Sequence, residues 1–129
     1  YGVENDVFIE YAEANGVGYI RGDEDDVLDR LIQCGNFDSA TDIFRSTSES
    51  PFPYFDLVDD AWLHHIDNMN DCTFLDDIID GCGYEILSLN ALKESHKKGE
   101  DRHRSELCTL YIRENKSQFN IEYISPPTQ

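Results

Sequence analysis

The sequence predicts an α/β layer fold, a mostly parallel sheet with helices on both faces, and three observations carry that expectation. Short apolar, strand-like runs alternate along the chain with stretches of helical period. The 129 residues are 40% hydrophobic, which suffices for one domain with a sizeable core and is too little chain for two. Finally, Tyr19-Ile20-Arg21-Gly22 leads into Asp23-Glu24-Asp25-Asp26-Val27-Leu28-Asp29-Arg30. This reads as a strand, a glycine turn and an acidic helix start with an arginine on each side. Such a segment can present charge and backbone donors at a sheet edge, where α/β proteins hold anionic ligands.

Each element has its own local warrant. Val7, Phe8, Tyr11, Ala12 and Ala14 fall at helical spacing and predict a helix from Val3 to Asn15, stopped by Gly16. Val17 to Ile20 reads as a strand, and Asp25 to Gly35 as a helix with the stripe Val27, Leu28, Leu31 and Ile32. Asp42 to Arg45 follows as a strand, then Asp56 to Met69 as a helix facing inward with Leu57, Val58, Ala61, Trp62 and Ile66. Cys72 to Leu75 and Glu85 to Leu87 are further strands. Ser88 is placed to cap a helix from Leu89 to Lys97. A polar stretch, 97–104, opens a helix through Ser105 to Ile112, and Phe119 to Ile124 alternates like a strand. Few strands for a covered parallel sheet, a start at Tyr1 and an ending in Ser125-Pro126-Pro127 predict flanking sequence beyond this single domain.

Charge bounds the function. With 27 acidic against 10 basic residues the net charge is −17. That field opposes nucleic acid and anionic membranes, and leaves room for a basic partner, a halophilic solvent or a metal-dependent site. No apolar run reaches the length of a membrane span and no signal peptide is visible. The four cysteines form no CxxC pair and read as reduced, partly buried thiols of a cytoplasmic protein. His64 and His65 read as surface or half-buried side chains without a zinc set.

Four segments in order carry a resemblance: Tyr19-Ile20-Arg21-Gly22 with Asp26-Val27-Leu28-Asp29-Arg30, then Ile43-Phe44-Arg45-Ser46-Thr47-Ser48-Glu49-Ser50-Pro51, then Asp80-Gly81-Cys82-Gly83-Tyr84-Glu85-Ile86-Leu87-Ser88, then Glu106, Thr109 and Tyr111-Ile112-Arg113-Glu114-Asn115. From about Asn5 to Pro127 the chain resembles the cytidylyltransferase-like family of spore-coat polysaccharide and acylneuraminate nucleotidyltransferases. The resemblance implies a Rossmann-like nucleotide-sugar transferase fold that couples CMP from CTP to a sugar acid or a phosphorylated sugar with Mg²⁺; a homodimer is possible. The chain departs from the family in three ways. It holds no basic glycine-rich loop to wrap the triphosphate, it has Glu49 where an aspartate is usual, and it has Leu107 where a histidine is usual.

The site candidates follow. Arg21 and Arg45 each end a predicted strand and are the expected catalytic cations, able to take phosphate or carboxylate in bidentate fashion, or else to pair with one of the abundant acids, for example Asp25 or Glu49. Glu49, by resemblance, stands where the family holds its metal; Glu85, in an apolar strand, must face a cleft or be paired, and joins it as an expected metal ligand. Asp80, in the turn before Glu85, can hold a sugar hydroxyl or cap the turn. Glu106 and Thr109, one i,i+3 step apart, can present a carboxylate and a hydroxyl to the sugar. The isolated chain is expected to be inactive, and the rival readings are a small acidic binding or inhibitor protein and a degenerate paralogue.

Overall fold

A computed structural model describes residues 5–127. Its helices are α1 (Asp6–Ala14), α2 (Val27–Phe37), α3 (Val58–Asp67), α4 (Leu89–Lys98) and α5 (Leu110–Glu114). Its strands are β1 (Asp42–Arg45), β2 (Cys72–Leu75), β3 (Tyr84–Ser88) and β4 (Ile121–Tyr123). Single 3-10 turns lead into α3, follow α4 and follow α5. Two helix starts obey their capping residues: Asp26 Oδ1 accepts the Asp29 N–H at 2.9 Å to open α2, and Ser88 Oγ accepts the Ala91 N–H at 3.1 Å to open α4.

The four strands lie in the order β1-β3-β2-β4. Here the structure overturns the mostly parallel sheet: β3 pairs antiparallel with both β1 and β2, and only β2–β4 is parallel, so the sheet is mixed and mostly antiparallel. The cause is the connection between Leu75 and Tyr84. It contains no helix, and without a crossover long enough to carry the chain back, the next strand returns antiparallel. Gly81, with φ +82°, makes the backward bend. The expected strand at Val17–Ile20 is absent as well: the segment is irregular and exposed, Val17 at 60%. Gly16 and Gly18 flank Val17 and weaken any extended preference. Of the expected first helix, Val3 and Glu4 lie outside the described residues.

Alternation along the strands separates two cores. One face of the sheet sends Cys72, Phe74 and Leu87 to meet Leu28 and Ile32 of α2, Leu89 and Leu92 of α4, and Ile112 of α5. Gly35 permits this packing at short range, since a Cβ there would come within 2.8 Å of Leu89 Cδ1. The other face sends Leu75, Tyr84 and Ile86 against Ala61 of α3, with Phe44 and Trp62 alongside. No residue of α1 is buried, and no helix among the described residues is long and apolar enough to cross a membrane.

Candidate functional site

Register builds the site. Arg45 of β1 lies opposite Glu85 of β3, and Glu85 opposite Phe74 of β2. These residues occupy one row across one face of the sheet, at the end where β2 and β3 turn. There the helical layer stops short and an open cleft of about 1270 Å³ begins.

Glu85 is the hub. Its Oε2 accepts from Arg45 Nη1 at 2.6 Å. Its Oε1 accepts from the Thr109 hydroxyl at 2.8 Å and from Arg113 Nη2 at 3.1 Å. Arg45 Nη2 donates to the carbonyl of Glu106 at 3.0 Å, which ties the loop before α5 to the strand. Arg113 donates from Nε to Thr109 Oγ1 at 3.1 Å, and from Nη1 and Nη2 to the two oxygens of Asp76 at 2.5 and 3.0 Å. Its guanidinium carbon stands 3.8 Å from the centroid of the Phe74 ring, a stacked cation.

The electrostatics follow from that geometry. Burial alone would lower the pKa of Arg113; its hydrogen bonds to Asp76 and Glu85 and their charges overcome it and raise the value above the ordinary. Arg45 is likewise raised against the effect of burial, by the neighbouring Cys108 and Glu85. Burial pushes the Cys108 thiol up to about 11, against the pull of Arg45, so Cys108 beside the site is a packed thiol and no nucleophile.

The cleft gathers six of the seven sequence candidates: Arg45, Glu49, Asp80, Glu85, Glu106 and Thr109 all line it. The loop carrying Glu49 and the turn carrying Asp80 are neighbours, since the Tyr54 N–H donates to the Cys82 carbonyl at 3.0 Å. Arg21 is not with them. It pairs with Asp6 of α1 at 2.7 Å and borders a separate small cavity of about 140 Å³. Both arginines thus make the ion pair with an acid that was their alternative reading, with Asp6 and Glu85 as the partners rather than Asp25 or Glu49. Sequence reasoning missed Asp76 and assigned no role to Arg113. Both had a signal: Asp76 is an acid directly after a strand, and Arg113 follows Thr109 by one helical turn, the spacing at which side chains meet.

A protein-held Mg²⁺ does not fit these residues. Both oxygens of Glu85 are engaged by donors, two of them guanidinium groups that would repel a cation. Among the described residues no group of three or more His, Cys, Asp or Glu could hold an ion. Of the basic residues near α4, Arg102 is bidentate to Glu114 at 2.7 Å, and His96 meets Asp26 at 2.7 Å. The cysteines are all free, with Cys72 and Cys108 buried, Cys82 half-buried and Cys34 exposed.

A solved structure of a cytidylyltransferase from Leptospira borgpetersenii matches with a TM-score of 0.88 over 97% of this chain and 55% of that one, at 20% identity. The fold class is therefore that of a cytidylyltransferase-like α/β domain with a mixed sheet. An uncharacterized protein of Methanocaldococcus jannaschii is 32% identical over 124 residues, 96% of this chain and 51% of the relative. The spore coat polysaccharide biosynthesis protein SpsF of Bacillus subtilis is 26% identical over 124 residues, 95% of this chain and 52% of the relative. No family model matches. The chain spans about half the length of the curated relatives it matches.

Proposed function

We propose that this chain forms the sugar-binding side of a nucleotidyltransferase that couples CMP from CTP to a sugar acid or a phosphorylated sugar. The observation that carries the proposal is the Arg45–Glu85–Thr109–Arg113 network at the floor of the cleft, in a fold shared with a cytidylyltransferase. In this reading Arg45 receives the anionic group of the sugar, because a guanidinium already fixed by Glu85 and the Glu106 carbonyl meets an oxyanion without further ordering. The carboxylates of Glu49, Asp80 and Glu106, which make no ion pair among the described residues, accept from sugar hydroxyls at the rim. Glu85 and Thr109 serve the arginines, their polar atoms being spent on them. Arg21 has no part in this cleft. The protein's contribution is orientation and charge placement, with the nucleophilic oxygen supplied by the sugar.

The 129 residues contain no basic glycine-rich loop and carry −17, so this chain on its own is expected to release no pyrophosphate from CTP and Mg²⁺ above a protein-free control. It is nevertheless expected to bind sugars. Titration of the ¹⁵N-labelled chain with glucuronate, glucose 1-phosphate and glucose should perturb the resonances of Arg45, Asp80 and Glu106 with the two anionic sugars, and much less with glucose. Equal response to all three, or none, overturns the assignment of the cleft. Turnover by the isolated chain would show that a triphosphate loop is not needed.

A further inference from the structure

Arg45 and Arg113 flank the same carboxylate but differ in what they have left to give. Arg113 spends Nε on Thr109, both terminal nitrogens on Asp76, and Nη2 on Glu85 as well, while Phe74 covers one face of its guanidinium plane. Arg45 spends one bond on Glu85 and one on the Glu106 carbonyl; its remaining N–H groups have no partner among the described residues, and it lines the cleft. The first arginine is consumed by the protein and the second is held ready.

We infer that Arg113 is a positioning residue, which acts through Glu85 to set the orientation in which Arg45 meets an oxyanion of the substrate. The inference rests on the reading of the cleft as the sugar-binding side of a nucleotidyltransferase. A carboxylate gripped on one oxygen by two donors cannot turn about its terminal bond, so its other oxygen has a fixed direction. On Glu85 the two donors are Thr109 and Arg113, and the fixed oxygen is the one that holds Arg45. Arg113 is in turn immobilised from below by Phe74 and from the side by Asp76. The chain of restraint therefore runs from Asp76, after β2, through Arg113 on α5 and Glu85 on β3, to Arg45 on β1. Thr109 reinforces it by accepting from Arg113 while donating to Glu85, which uses its one proton in a single direction. Lysine cannot replace this arrangement, because an ammonium lacks the planar fork that reaches Asp76, Thr109 and Glu85 together.

The test follows the arginine Nε–H signals of the ¹⁵N-labelled full chain during titration with glucose 1-phosphate, in the wild type, Arg113→Lys, Asp76→Asn and the double variant. In the wild type the Arg45 signal should move saturably. In Arg113→Lys, which keeps the charge, affinity should fall by about tenfold, equivalent to a modest loss of orientation. Asp76→Asn should fall in the same direction but by less, and the double variant should be no worse than Arg113→Lys alone, since both act on one restraint. The thermal midpoint reports the fold, whereas the Arg45 signal reports the orientation that a purely structural role would leave unchanged. Wild-type affinity in Arg113→Lys, or additive losses in the double variant, overturns the positioning role and leaves the sugar-binding reading intact. An unmoved Arg45 signal in the wild type overturns both. If Arg113→Lys does not fold, Asp76→Asn decides, and wild-type affinity in it overturns the inference.

Discussion

Each face of the sheet carries a charged hydrogen-bond network, and the two differ in how far helices cover them. On the face under α3, His65 is 1% exposed and meets the Thr73 hydroxyl through Nδ1 at 3.0 Å and Asp42 through Nε2 at 3.1 Å. A carboxylate only accepts, so Nε2–H is the donor to Asp42. Asn70 completes the set by donating to Thr73 at 3.2 Å and to Glu122 of β4 at 2.7 Å. On the opposite face Glu85 holds an equivalent position between a strand and a helix, yet Arg113 and Asp76 are 30% and 43% exposed and open into the cleft. The kinds of groups are similar. Sealed by a helix they form a cross-link between α3 and the strands; left at the end of the helical layer they line an open cleft.

That comparison can be broken at its strongest point. Glu85→Gln should destabilise the chain by about 3–5 kcal/mol, because it leaves two arginines facing each other over a mostly buried position. Urea denaturation checks this, and a loss below about 1 kcal/mol would mean that the network is solvated and contributes little. On the sealed face, His65→Ala should cost about 2–3 kcal/mol by leaving Asp42 and Thr73 without a partner and opening a small void. It should leave the glucose 1-phosphate titration unchanged; a weakened titration would mean that the two faces are coupled through the strands.

The smallest effect is expected from a third group, exposed and away from both. Hydrogen bonds from Arg102 and His103 hold the Glu114 carboxyl down to about 2. A depressed carboxyl pKa contributes stability above the unfolded value near 4.5, and that contribution fades as pH falls through the folded value near 2. The stability difference between wild type and Glu114→Gln should therefore be flat from neutral pH to about 5 and vanish toward pH 2. A difference that grows on acidification would reverse the sign and remove the pair from the account.

Local chemistry made several elements legible. β1 and β2 run over the residues expected from their apolar runs, and Ser88 caps the helix that its position announces. Two elements misled. Val17–Ile20 has strand-like side chains but no neighbour to pair with among the described residues, and a strand without a ladder does not persist. His65 read as a surface or half-buried side chain; its burial depends on α3 lying across β1 and β2, which periodicity does not encode. Sequence also joined Arg45, Glu49, Asp80, Glu85, Glu106 and Thr109 as candidates, but it added Arg21, which sits with α1.

By itself the sequence determined the location of α2, α3, α4, β1, β2 and β3 to within about two residues, because caps, turns and side-chain period act within a few residues, and it determined the acidic field, because charge is additive along any path of the chain. Only the tertiary structure decided the direction of β3 and the register that sets Arg45 opposite Glu85. Pairing depends on which backbone edges meet, and residues 40 positions apart carry no local signal of that encounter. The same step changed Glu85 from an expected ion ligand into the anchor of two arginines, since the donors that claim its oxygens arrive from β1 and α5 only after the chain has folded.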